Sequence, residues 1–117
     1  MLITNLEILN QELKSDDFVL KTQSQIVKDF GTVGIDFPSD FQSFALALDQ
    51  LIEEVSNRLK ELQSSSSSSF SQLLYQIDIP ESILPDVSQS DDFYSSLAEV
   101  VIKREAYKVF LRSKFSS

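Results

Sequence analysis

Apolar residues fall at Phe41, Phe44, Ala45, Leu48, Leu51, Ile52, Val55, Leu59 and Leu62. Steps of three and four residues put one broad apolar stripe on an α-helix, so the spacing predicts a helix over residues 39–62. Pro38 precedes it, and Ser39 or Asp40 can accept from its free first-turn N–H groups. A second long helix is predicted over residues 91–115 from Phe93, Leu97, Val100, Val101, Tyr107, Val109, Phe110, Leu111 and Phe115. Ser90 suits its N-cap, and Asp91 and Asp92 set negative charge at the positive end of its dipole.

Shorter helices fill the remainder. Leu2, Ile3, Leu6, Leu9 and Leu13 predict one over residues 3–14. Ser15, followed by Asp16 and Asp17, signals a start, and Phe18, Val19, Ile26, Val27 and Phe30 predict a helix over residues 16–30 ended by Gly31. Residues 32–38 read as an irregular connection. The run Ser64–Ser69 competes with helix through local hydrogen bonds and reads as a flexible turn over residues 63–69, with Ser68 or Ser69 able to cap the next helix. Phe70, Leu73, Leu74 and Ile77 then predict a helix over residues 69–79, stopped by the Ile79-Pro80 step. Pro80–Leu84 suits one helical turn opened by proline. The expected architecture is all-α: a helical bundle in one domain, residues 1–117, built on two long antiparallel helices.

At 117 residues and 13.3 kDa, a folded surface of about 6,500 Å² is expected, enough contraction for an independent core. The chain has no Cys and no His. That removes thiolate metal sites, iron–sulfur clusters, Cys nucleophiles and the commonest general base. Two Gly, Gly31 and Gly34, leave no phosphate-cradling loop. No serine is set beside a base, and a di-metal carboxylate bundle would need histidine. No catalytic residue, cofactor or metal is therefore assigned, and the chain is not expected to be an enzyme.

The net charge of −8 is uneven. Residues 1–102 carry 17 acids and 5 bases, whereas residues 103–117 carry Lys103, Arg104, Lys108, Arg112 and Lys114 against Glu105 alone. Cations in the last turns of a helix complement its dipole, and the acidic remainder repels phosphate, so no nucleic-acid partner is expected. Nor is a membrane partner, because the longest apolar run, Phe44–Leu48, has only five residues. The N-terminus has no signal-peptide pattern, and the expected compartment is the cytoplasm.

Two arginines interrupt the apolar seams: Arg58 in Phe44, Leu48, Leu51, Val55, Arg58, Leu62, and Arg104 in Phe93, Leu97, Val100, Arg104, Tyr107, Leu111. A guanidinium there either grips an anion or lays its stem on the core and pairs with a nearby acid such as Glu54, Glu99 or Asp78. For Arg104 the expected partner is an acid following the short helix.

The segments LLYQIDIPE (Leu73–Glu81) and LAEVVIKREAYKVFLRSKF (Leu97–Phe115) resemble small uncharacterised bacterial helical proteins, and IVKDFGTVGIDF (Ile26–Phe37) is similar as well. The resemblance implies an all-helical fold and carries no assigned activity. Together these readings lead to a non-enzymatic protein that acts by protein–protein contact or self-association. The alternative is a small regulatory domain binding an anionic ligand through Arg58, Arg104 or the C-terminal basic cluster, with Lys108 and Arg112 as further contacts.

Overall fold

A computed structural model describes residues 14–79 and 92–115. The expected helix over residues 3–14, the Ser90 cap and the turn at Pro80–Leu84 lie outside these residues. Among them are four α-helices and no strand: α1 (Asp16–Gly31), α2 (Leu48–Ser65), α3 (Ser67–Gln76) and α4 (Phe93–Phe115), with a 3-10 turn at Ser39–Gln42. The all-α helical bundle is the fold.

The Ser15 hydroxyl accepts from the Phe18 N–H at 3.3 Å and caps α1, where the sequence placed it. The other end differs. Gly31 is still helical, and the residue in the left-handed region is Gly34, at φ +82°. Its N–H donates to Gly31 O and the Ile35 N–H donates to Phe30 O, each at 3.1 Å. This pair of reverse bonds closes the helix end and turns buried Ile35 into the core.

The helix expected over residues 39–62 is broken. Ser39–Gln42 makes only a 3-10 turn, with no side-chain cap from Ser39 or Asp40, and the chain is extended at Ala47 before α2 begins at Leu48. The cause is Gln23, fully buried on α1. Its Nε2 donates to Phe41 O at 2.6 Å and Phe44 O at 3.0 Å, while its Oε1 accepts from the Leu46 N–H at 2.7 Å. A continuous helix would have used those three backbone groups within itself. Phe41 is thereby seated in the core, its ring stacked on Phe37 at 4.4 Å.

The serine run also folds differently from the expected turn over residues 63–69. Ser64 and Ser65 finish α2, Ser67 begins α3, and the reversal is confined to Ser66 in extended conformation. Ser66 donates its N–H to Leu62 O at 2.8 Å, and its hydroxyl accepts from the Ser69 N–H at 3.2 Å. It therefore serves the ends of both helices, in place of Ser68 or Ser69 as the cap.

Asp92 caps α4, accepting from the Ser95 N–H at 3.1 Å and the Ser95 hydroxyl at 2.9 Å. These two bonds hold its carboxyl below the usual carboxylate range. The first turn of α4 meets the last turns of α2, as an antiparallel pair requires: Tyr94 donates to Gln63, and the Lys60 ammonium lies 5.8 Å from the Tyr94 ring centre. With 23 residues α4 is about 34 Å long, against a longest molecular dimension of 38 Å. Leu51, Val55, Leu59 and Leu62 of α2, Leu73 and Leu74 of α3, Ile26 and Phe30 of α1 and Leu97, Val101 and Ile102 of α4 form the main core. A smaller cluster joins Phe18 of α1 to Ala106, Val109 and Phe110 of α4.

Candidate functional site

The buried face of α4 is displaced from the seam through Arg104. Its buried residues come in pairs at Leu97 and Ala98, Val101 and Ile102, Glu105 and Ala106, Val109 and Phe110. Phe93, Val100, Arg104, Tyr107 and Leu111 form a half-buried flank. Arg104 is therefore a border residue. Its Nε donates to Ile77 O at 3.2 Å, and a terminal nitrogen lies 3.4 Å from Asp78 Oδ2. Asp78 follows the short helix, so the expected ion pair is present. The guanidinium also lies 5.4 Å from the Tyr107 ring centre.

Arg58 behaves alike. Its guanidinium nitrogens lie 3.1 Å from Glu61 Oε1 and 3.7 Å from Glu54 Oε2, one helical turn to either side, and its head sits 5.6 Å from the Phe37 ring centre. Lys103 is tied to Glu99 at 3.5 Å. Among the described residues no carboxylate pairs with Arg112, which is exposed. Much of the positive charge on α4 is thus consumed by acids of the same chain, which agrees with a structural reading of the charge asymmetry.

Lys108 leads to a cluster that the apolar spacing did not reveal. Its Nζ lies 2.8 Å from Asp29 Oδ2 on α1 and 3.6 Å from Glu105 Oε1 on its own helix. Gln25 Nε2 donates to the same Asp29 oxygen at 3.1 Å. Glu105 is fully buried, and neither of its oxygens accepts a bond from an N–H or hydroxyl donor. The Asp29 carboxyl shares the Lys108 ammonium with it, and two buried carboxyls beside one ammonium are relieved of repulsion when one keeps its proton. Burial, then the neighbouring Asp29 carboxyl, pushes Glu105 up to about 9, so it is the protonated member. Burial would raise Asp29 also, but the neighbouring Glu105 carboxyl and the bonds from Lys108 and Gln25 outweigh it and hold Asp29 below its ordinary value.

One sequence signal could have located the pair. Glu105 continues the four-residue repeat from Leu97 through Val101, and Asp29 sits one turn past Ile26 and Gln25 on the buried side of α1. No third His, Cys, Asp or Glu joins them, among the described residues, in a group able to hold a metal ion.

The other feature is apolar. Phe44 is 54% exposed and Leu48 50%, four residues apart where the chain enters α2. The backbone beneath Phe44 is fixed by Gln23, so the exposed ring projects from an anchored segment. Tyr75 on α3 is exposed as well. No helix among the described residues is long and apolar enough to cross a membrane. In comparisons with known proteins, the chain matches no protein-family model, no curated protein and no solved structure.

Proposed function

We propose that the chain is a non-enzymatic helical interaction module of the bacterial cytoplasm, docking a protein partner or a second copy of itself through the edge at Phe44 and Leu48. The observation that carries this reading is the half exposure of two large apolar side chains, Phe44 and Leu48, at the entry to α2, with the backbone at Phe44 and Leu46 pinned from below by a buried amide. An exposed apolar side chain is ordinary by itself, whereas one held on rigid backbone makes an anchor with little ordering entropy to lose on binding. The absence of His and Cys from the sequence supports a role without catalysis.

The alternative, an anionic ligand held by Arg58, Arg104, Lys108 or Arg112, has less support. Three of these cations already face carboxylates of their own chain, which an incoming anion would have to displace.

Sedimentation velocity across a concentration series, with affinity capture, tests the proposal on the intact chain and on the Phe44→Ser/Leu48→Ser double variant. Self-association or capture of a defined partner is expected for the native chain, and its loss in the variant with an unchanged circular dichroism spectrum. A native chain that stays monomeric and captures nothing, or a variant that binds as well as its parent, overturns it.

A further inference from the structure

Asp29 and Glu105 bring two buried carboxyl groups to the contact between α1 and α4, with a single ammonium, Lys108, beside them. Lys108 is closer to Asp29, and Gln25 donates to Asp29 as well. Among the described residues, the charged groups facing Glu105 are Asp29 from α1 and Lys108 from its own helix, and no ion pair from α2 or α3 reaches the cluster. One ammonium balances one carboxylate. A second carboxylate, with no N–H or hydroxyl donor on it, would be an uncompensated charge in the interior.

We propose that the buried Asp29, Glu105 and Lys108 cluster, with its proton on Glu105, is a latch between α1 and α4, which opens more readily as pH rises and uncovers the apolar cluster of Phe18, Val109 and Phe110. The closed form carries a proton on Glu105. In the open form the carboxyl is solvated and ionised at neutral pH, so each opening releases one proton. The ratio of open to closed molecules then rises about tenfold per pH unit. The window runs from the ordinary carboxyl value of 4.5 to about 9, where the closed form also ionises. The cluster beyond the latch is small: Phe18 on α1 meets Ala106, Val109 and Phe110 on α4. This cluster is separate from the main core that holds Ile26 and Phe30, so the end of α1 that carries Phe18 is the part of the interface able to part without it.

The chain has no cysteine, so a single introduced thiol reports opening. Val109→Cys places it behind the latch, and Val55→Cys places it in the main core on α2. Labelling by an aromatic disulfide reagent is followed at pH 6, 7 and 8, for Val109→Cys alone and combined with Glu105→Gln. The amide introduced by Glu105→Gln has no acidic proton to release, and the ratio of the two rates cancels the thiol's own ionisation. The rate for Val109→Cys relative to the double variant should climb about tenfold per pH unit, and Val109→Cys should label faster than Val55→Cys. A ratio independent of pH, or equal labelling at both positions, overturns the latch. If Glu105→Gln does not fold, carbon-13 titration of the native Glu105 carboxyl decides: persistence of the acid form at pH 8 supports the latch, and ionisation near the ordinary value overturns it.

Discussion

Lys108 reaches from α4 to place its ammonium 2.8 Å from the Asp29 carboxylate on α1, 79 residues away in sequence. Asp29 is nearly buried, while Lys108 keeps its stem against the protein and part of its head in water. Removing the ammonium therefore harms the partner left behind more than it harms position 108. Lys108→Met retains the stem and should cost about 2 kcal/mol, measured as a shift in the urea midpoint at pH 7. Adding Asp29→Asn to Lys108→Met should restore part of the loss, because the stranded charge is then gone. Equal stabilities for the native chain and Lys108→Met would show that the contact adds nothing.

The two carboxyls give opposite pH dependences. Glu105 is raised above its unfolded value, so its neutral form is favoured by folding, and this group makes the fold progressively less stable as pH climbs from 4.5 toward 9. Asp29 is lowered, so its contribution is present above 3.8 and lost as pH falls through its lower folded value. Urea titrations between pH 5 and pH 8 should show stability declining by up to about 1.4 kcal/mol per pH unit in the native chain. In Glu105→Gln the slope should flatten and the protein should be the more stable one at pH 8. Parallel curves for the two proteins would contradict a protonated Glu105.

Gln23 decides where α2 begins, since its amide occupies Phe41 O, Phe44 O and the Leu46 N–H. Gln23→Leu keeps the volume and deletes all three bonds, for a cost of about 3 kcal/mol at roughly 1 kcal/mol each. Gln23→Glu cannot donate to either carbonyl and should be worse, as it adds a buried charge facing them. Hydrogen exchange at Leu46 should accelerate in Gln23→Leu far more than at Leu59, deep in α2. Retained protection at Leu46 would mean that another group fixes the segment.

Gln23 also marks the limit of what apolar spacing conveys. The period of three and four residues persists from Phe41 to Leu62, and the spacing alone reads as one helix. What breaks it is a polar side chain 18 residues upstream of Phe41, a contact no local pattern encodes. The Ser15 cap and the extent of α1 were legible because a cap depends on neighbours in sequence. The pairing of Arg104 with Asp78 was legible because a long cation on a helix flank takes an acid within its reach. Glu105 was not, because the heptad seam drawn through Arg104 passes beside it and gives it no role. The true face follows a four-residue repeat, and a rotation of about 100° per residue is enough to exchange a border position for an interior one.

Asp78 offers the last test, since it carries a backbone conformation and an ion pair together. It lies at φ +60°, the one non-glycine residue with positive φ among those described. Its N–H donates to Tyr75 O at 3.1 Å and the next N–H, from Ile79, donates to Leu74 O at 3.0 Å, so α3 ends in a reverse-bonded cap. Buried Ile79 and Leu74 lie at the two ends of the second bond, where an apolar contact commonly completes such a cap. Aspartate tolerates the left-handed region better than most residues, but glycine adopts it without a Cβ penalty. The carboxylate is three-quarters exposed, so its pairing with Arg104 is worth little. Asp78→Gly should therefore leave stability nearly unchanged, while Asp78→Ala loses the ion pair and keeps the strain, falling about 1 kcal/mol below the glycine variant in thermal or urea unfolding. If both variants lose equally, the ion pair to Arg104 and not the turn is what position 78 contributes.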